Sequence, residues 1–415
     1  MFLICFYFAA TAQQPCVTTA YIAEKNANKI IDAPVYKTLQ QLNKPVPSLL
    51  TGTPGNKATQ SKSTIIQIPV VVHLLYNTIA QNITDVQIKS GLEALNRDFR
   101  RQNKDTSNTP ERFKSIAADV EIEFQLAAVD PTGRATTGIV RKQTAVPAFS
   151  MDDKIKFSAF GGDDAWDSES YLNIWLGNTR RLLGYATMPG GDMAVDGLVI
   201  NITAFGTINT PAPYHLGRTA VHETGHWLGL RHLWGDDACG DDFVDDTPKQ
   251  GGYTSGCPTG FRSSCANGNM GDMFMNYMDF TNDACMNLFT KGQKERMRSL
   301  FKEGGLRHSF LASNGLGEPW VETIPIQKED TATQTTRFII FPNPAIQSIT
   351  LQVETGIEAE INGTLRLIQA NGLPLENIKI NSRTQKLQLA HLKPGIYFLQ
   401  GIINNKTFNQ KLIKL

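Results

Sequence analysis

The sequence predicts an α+β fold, a mixed sheet backed by helices, followed by a small all-β sandwich, and three observations predict it. The run TIIQIPVVVHLLY (64–76), rich in β-branched residues, reads as a buried strand and is followed directly by an amphipathic helical segment, TDVQIKSGLEALNRDFRRQ (84–102). Further strand-like runs, VEIEFQLAAV, YLNIWLG and DGLVIN, precede a polar segment rich in histidine, which gives a mixed sheet. Beyond a polar stretch at 313–336, short alternating runs separated by Asn, Gly and Pro fill 337–415, the pattern of a sandwich.

In chain order, MFLICFYFAATAQQ is an apolar run ending in Ala10-Thr11-Ala12. It fits a secretory signal over 1–12, although it lacks a basic n-region, and it is far shorter than the about 20 residues that a membrane span needs. Residues 13–60 are polar and broken by Pro34, Pro45, Pro47, Pro54 and Gly55, which suits a propeptide or linker and not a core. The main folded unit is expected over 61–312. In its first helix Thr84 and Gln87 suit a capping box, and Val86, Ile88, Leu92, Leu95 and Phe99 recur at helical spacing. His73, inside the first strand, reads as a packed residue and not a ligand. The sandwich strands are expected in RFIIFPNPAIQSITLQV, GTLRLIQANG, KLQLAHLKPGIYFLQGII and KTFNQKLIKL.

With 40 Lys and Arg against 39 Asp and Glu, no basic field exists to attract nucleic acid. Hydrophobic content of 41% supports packed cores. Cys239, Cys257, Cys265 and Cys285 crowd together in a chain read as exported, which suggests two disulfides in any of three pairings. A second zinc site is the competing reading, but no Cys-x-x-Cys spacing is present.

The chemistry concentrates in HETGHWLGLRH (222–232). On a helix His222 and His226 share a face and can chelate one zinc ion; Gly229 can end the helix in a left-handed conformation, so that the chain swings His232 in as third ligand. Glu223 adjoins the first ligand and suits a general base. A core of stacked histidines would leave three imidazoles and a carboxylate without partners.

This string carries the extended zinc motif of the metzincin peptidases. HETGHWLGLRHLW, DDFVDDTP and NYMDFTNDACMNLFTKGQKERM together resemble the pappalysin family, over roughly residues 61–312. The resemblance implies a two-lobed fold, a secreted zinc endopeptidase, protein or peptide substrates, Met278 as the Met-turn methionine, and the pairs Cys239–Cys265 and Cys257–Cys285. It also implies that Asp283 sits at the base of the S1′ pocket, favouring Arg or Lys at P1′; the alternative is an ordinary loop aspartate. One position departs from the pattern. Bacterial relatives commonly carry Tyr two residues after the turn methionine, whereas Phe280 stands here, so oxyanion stabilisation would fall to zinc, backbone groups, or Tyr277 if the turn is shifted.

The run GDDFVDDTP makes Asp242, Asp245, Asp246 and Thr247 candidates for calcium, which the resemblance also implies; a solvated acidic loop is the alternative. Cys16, unpaired once a signal is removed, is a candidate latency switch that would occupy the open zinc position, as in related zymogens. The usual Arg and Gly neighbours are missing from QQPCVTT, and a spare thiol is the alternative. Maturation would cut near Lys57 or Lys62. FPNPA, LKPGIYFL and the lysine-bearing terminus resemble the C-terminal sorting domain of type IX secretion, implying the secretion machinery as partner and a secreted or outer-membrane-attached product of a Gram-negative cell. A carbohydrate- or protein-binding module is the rival reading. At the level of the whole chain, the alternative to an enzyme is a surface adhesin with a structural metal site, and a base beside the first ligand argues against it.

Overall fold

The computed structural model describes residues 14–27, 65–319, 337–354, 361–369, 374–404 and 406–415. The expected signal at 1–12, the expected cleavage near Lys57 or Lys62 and most of the expected propeptide and linker lie outside them. The chain divides into two units, Met1–Val321 and Glu322–Leu415.

The first unit is built on a sheet of seven strands in the order β1-β7-β8-β6-β2-β4, with β5 also pairing β2. Its strands are β1 (Gln14–Cys16), β2 (Ile66–Tyr76), β4 (Ile122–Leu126), β5 (Ile139–Gln143), β6 (Leu172–Gly177), β7 (Leu182–Ala186) and β8 (Leu198–Asn201). All the pairings are parallel except β7 with β8. Parallel strands covered on both faces read as continuous apolar runs, and β2 is buried at Ile68, Val70, Val71, Val72 and Leu74 alike. His73 is a packed residue: Nδ1 meets Asp163 at 2.7 Å, Nε2 meets Asn173 at 3.0 Å, and the ring stacks on Trp175.

Two helices cover the face opposite α1 (Thr18–Ala27): α2 (Asp85–Phe99) and the longest helix of the histidine region, Arg218–Trp227. Thr84 accepts from the Gln87 amide, but the box is half formed, because the Gln87 side chain instead donates to the carbonyls of Ile202 and Phe205. Ile88, Leu92, Leu95 and Phe99 are buried; Val86, expected on the same stripe, is 61% exposed because it sits on the first turn outside the packed face. A short helix α3 (Glu111–Lys114) and a two-strand ribbon, β3 (Ala117–Ala118) with β9 (Phe289–Thr290), complete the frame.

The region read as core-poor holds order that composition hid. Residues 14–27 form β1 and α1 against the sheet edge, although the segment is polar overall. Gly315, assigned to the linker, accepts from the amides of Ala128 and Val129 and so belongs to the first unit's packing.

The described strands of the second unit pair antiparallel, and one isolated parallel bridge joins Ala345 to Lys414. One sheet is β10 (Arg337–Phe341), β11 (Ser348–Glu354) and β14 (Thr384–Gln388); the other is β13 (Pro374–Ile380), β12 (Gly363–Gln369), β15 (Gly395–Ile403) and β16 (Lys406–Lys414) in that order. Alternate residues Ile349, Leu351, Leu365, Leu367 and Leu399 fill its core. β13, with the sequence PLENIKI, is mostly exposed and offered no alternation to read.

Candidate metal centre

The fourth helix, α4 (Arg218–Trp227), sets His222 and His226 one turn apart on one face. It closes in a Schellman motif. Gly229 takes φ 83°, its amide bonds to His226 O at 2.8 Å, and the Leu230 amide bonds to Gly225 O at 2.9 Å. The reversal delivers His232 to the same point: His226 Nε2 lies 3.1 Å from His222 Nε2 and 3.0 Å from His232 Nε2.

Every Nδ1 is committed elsewhere, to Tyr277 O at 2.7 Å (His222), Leu230 O at 2.9 Å (His226) and Asp236 Oδ1 at 2.5 Å (His232). Those bonds fix the tautomers with Nε2 unprotonated, so three lone pairs converge on one point, an arrangement that repels itself unless a cation sits there. Burial, then the neighbouring His232, pushes His222 down to about 3 and His226 well below its ordinary value, which keeps both neutral. The donor set of three imidazoles fits zinc, and Cys16, His222, His226 and His232 are the one group of metal-ligating side chains found among the described residues.

Glu223, fully buried beside His222, is pushed up to about 8 by that burial. Its Oε2 accepts from Thr18 Oγ1 at 3.0 Å and lies 3.6 Å from Cys16 Sγ. The thiol is also 3.6 Å from His226 Nε2, on the corner the histidines leave open. β1 brings it there by pairing in parallel with β7, Cys16 opposite Gly184, and the Ala186 amide donates to Thr18 Oγ1 at 3.0 Å.

Below the histidines, Tyr277 O receives His222, and Met278, fully buried, packs so closely under α4 that Gly225 has no room for a side chain. The Tyr277 phenol is buried between Arg218 and Phe289, so it does not stand in for the missing tyrosine at 280; only its carbonyl faces the ligands. Phe280 lies edge-on to His232 at 4.8 Å and packs on Trp234 at 5.0 Å. Asp283 is buried, accepts from the amides of Leu216 and Arg218 at 2.8 and 3.3 Å, and lines a small cavity of about 20 Å³ with Tyr214, Glu223 and Met286. The cysteines pair as Cys239–Cys265 and Cys257–Cys285.

The acidic run splits. Both Asp242 carboxylate oxygens and Val244 O lie within 2.9 Å of Thr247 Oγ1, a compact group of oxygens. Asp246 turns away to receive Thr290 Oγ1 at 2.6 Å and the Gly292 amide at 2.9 Å at the start of α5 (Lys291–Ser299), and Asp245 is exposed.

Three supporting groups escaped the sequence reading. Asp236 orients His232; the His232-x-x-x-Asp236 spacing was the available signal. Thr18 holds Glu223. Arg307 donates to Asp196 at 2.8 and 3.0 Å and to Trp227 O at 3.2 Å while lying 3.6 Å over the Trp227 ring, and no sequence pattern connects those positions.

Residues 157–302 match the family model described as pregnancy-associated plasma protein-A, and residues 339–415 match the secretion system C-terminal sorting domain. An extracellular metalloprotease of Verticillium alfalfae is 31% identical over 245 residues, 56% of this chain and 77% of that one. One from Coccidioides posadasii is 50% identical over 93 residues; this chain spans 33% of its length, and 44% of a relative from Pyricularia oryzae. Among solved structures, mirolysin in complex with a compound is 52% identical with a TM-score of 0.59, covering 60% of this chain and 97% of that one. A Tannerella forsythia promirolysin mutant is 44% identical with a TM-score of 0.63, covering 74% and 100%. By fold, by motif and by these likenesses the chain belongs to the pappalysin family of zinc metallopeptidases, and it carries a type IX sorting domain at its C-terminal end.

Proposed function

We propose that the protein is a secreted zinc endopeptidase that cuts proteins before Arg or Lys, with Glu223 as general base. The observation that carries this is the convergence of three Nε2 lone pairs beside a buried carboxylate. Zinc held by His222, His226 and His232 would supply Lewis acidity, activating water and polarising the scissile carbonyl. Glu223 takes a proton from the attacking water and returns it to the leaving amine. Burial raises the proton affinity of this carboxylate, which favours taking a proton from water. Phe280 offers no donor to the developing oxyanion, which leaves that role to the zinc site and to backbone groups of the cleft. Asp283, at the cavity beside Glu223, would pair with a basic P1′ side chain.

In this reading, residues 1–12 are the signal, 13–60 the propeptide with Cys16 blocking the cleft, 61–312 the catalytic domain, 313–336 a linker and 337–415 an address read by the secretion machinery at the outer membrane. The oxygen group of Asp242, Val244 and Thr247 supports calcium there, with Asp245 a further candidate and Asp246 committed instead to Thr290 and Gly292.

The deciding experiment is casein digestion by the processed enzyme. Glu223→Ala should cost about 10²–10⁴ in rate, and chelators should abolish cleavage; a Glu223→Ala protein as fast as wild type refutes the reading. In a peptide library Asp283→Ala should erase the P1′ preference, and an unchanged profile removes that assignment. N-terminal sequencing of active enzyme that still retains Cys16 would refute latency, and a melting curve indifferent to calcium would refute that ion.

A further inference from the structure

Side chains alternate along β7, so that Gly184 faces Glu223 while Tyr185 points to the opposite side of the sheet. On that opposite side α1 is gripped by a second contact. Tyr21, 3% exposed, packs its ring 4.8 Å from Tyr185 and donates its hydroxyl to Asp153 at 2.9 Å. One helical turn later, Lys25 Nζ reaches the same carboxylate at 2.5 Å. On the same face Lys156, fully buried, lies 2.9 Å from Asp153 and donates to Val195 O at 2.7 Å. Its ammonium sits 5.1, 5.4 and 5.1 Å from the rings of Tyr21, Trp175 and Tyr185.

The charge balance explains why this contact is specific. Asp153 faces two ammonium groups in a buried place, Asp196 also acts on Lys156, and three aromatic faces, one of which the incoming segment brings, surround the Lys156 ammonium. The Tyr21 hydroxyl adds a charge-assisted hydrogen bond, the strong kind, to a carboxylate already held in place. None of these groups touches His222, His226 or His232.

We infer that Asp153, Lys156, Trp175 and Tyr185 form a peptide-anchoring pocket, separate from the metal cleft, that takes a tyrosine side chain followed one helical turn later by a lysine; Tyr21 and Lys25 hold the N-terminal segment there whether or not Cys16 is engaged. This deepens the latency reading above and rests on it for its purpose: the anchor keeps the thiol poised over the cleft after the thiol itself has let go.

Hydrogen exchange on the full-length chain carrying Glu223→Ala, which prevents self-cleavage, tests the pocket without any turnover. Cys16→Ala, or a zinc chelator, should leave the slowed exchange of the α1 amides within about threefold, whereas Tyr21→Ala and Asp153→Asn should speed it about 10- to 100-fold. Amides of β2 serve as the check on folding, and where Tyr21→Ala disturbs them, Tyr21→Phe, which removes only the hydroxyl, gives the result in its place. An α1 released by Cys16→Ala, or one whose protection survives loss of Tyr21 and of the Asp153 charge, overturns the inference. A wild-type chain that cuts no casein, beside a Glu223→Ala chain that shows this pattern, sinks the protease reading and leaves the pocket standing.

Discussion

The two units solve the same folding problem with different materials. The C-terminal unit is an apolar sandwich whose described residues bury no polar or charged side chain apart from Lys414. The first unit buries His222, Glu223, His226, His232, Asp98, Arg218, Asp196, Arg307, Asp242, Asp279, Asp283 and Arg296. Buried charge is costly unless paired, and replacing such pairs with apolar residues is often neutral or stabilising. The sandwich therefore has the simpler route to a fold, and the polar interior of the first unit is the price of holding a reactive centre in a fixed geometry.

The difference is sharpest at Arg307. Arg307→Ala leaves Asp196 buried with only Trp227 Nε1 and Thr187 Oγ1 as donors, and should destabilise the first unit by about 3–5 kcal/mol. The matched change in the sandwich is Leu399→Ala, a fully buried side chain, costing about 2–5 kcal/mol. The two units' cores share no residue, so calorimetry of the full chain should show Arg307→Ala lowering one transition and Leu399→Ala the other. A single transition moved by both would break the comparison.

A smaller effect separates the frame from the centre it supports. Asp236→Ala removes the acceptor that fixes the His232 tautomer, and should weaken zinc affinity about 10- to 100-fold while leaving the sandwich transition unmoved. Zinc titration of the purified variant reads this directly, and an unchanged affinity means that another acceptor, Thr19 at 3.3 Å being the nearest at hand, suffices.

How much of this was legible follows from how local each cause is. HETGHWLGLRH is one contiguous stretch in which helix periodicity, a left-handed glycine and three donors coincide, so the ligand cluster could be read almost in full. β2 and the sandwich strands were legible because burial on one or both faces writes itself into the order of apolar residues. β1 and α1 were not, because their stability comes from pairing with β7 and from the Asp153 pocket, more than 100 positions away, and not from any periodicity of their own. The same distance hid Asp196 and Arg307, 111 positions apart. The acidic run misled in the other direction: adjacency in sequence suggested four ligands for one ion, whereas Asp246 instead caps α5.

The weakest of these effects is the response to acid. Burial pushes the carboxyl of Asp105 up, but the hydrogen bond and charge of Arg218 outweigh it and hold the group below its ordinary value. Asp163 is likewise held down, against its own burial, by His73 and Lys142. A carboxyl depressed in the folded state adds stability that is present above its unfolded value, near 4, and is lost as pH falls through the folded one. Both carboxyls are about one-fifth exposed, at 22% and 20%, so solvent screens each pair and the loss is modest. The sandwich buries no carboxylate among its described residues and has no matching loss to suffer. Burial holds Asp242, Asp279 and Asp283 above their ordinary values, and these act in the opposite sense as pH falls, so the test isolates the two depressed groups. From pH 7 down to about pH 3 the first unit's transition should fall less in an Asp105→Asn, Asp163→Asn variant than in the wild type, and an equal fall would mean that these pairs do not set the acid response.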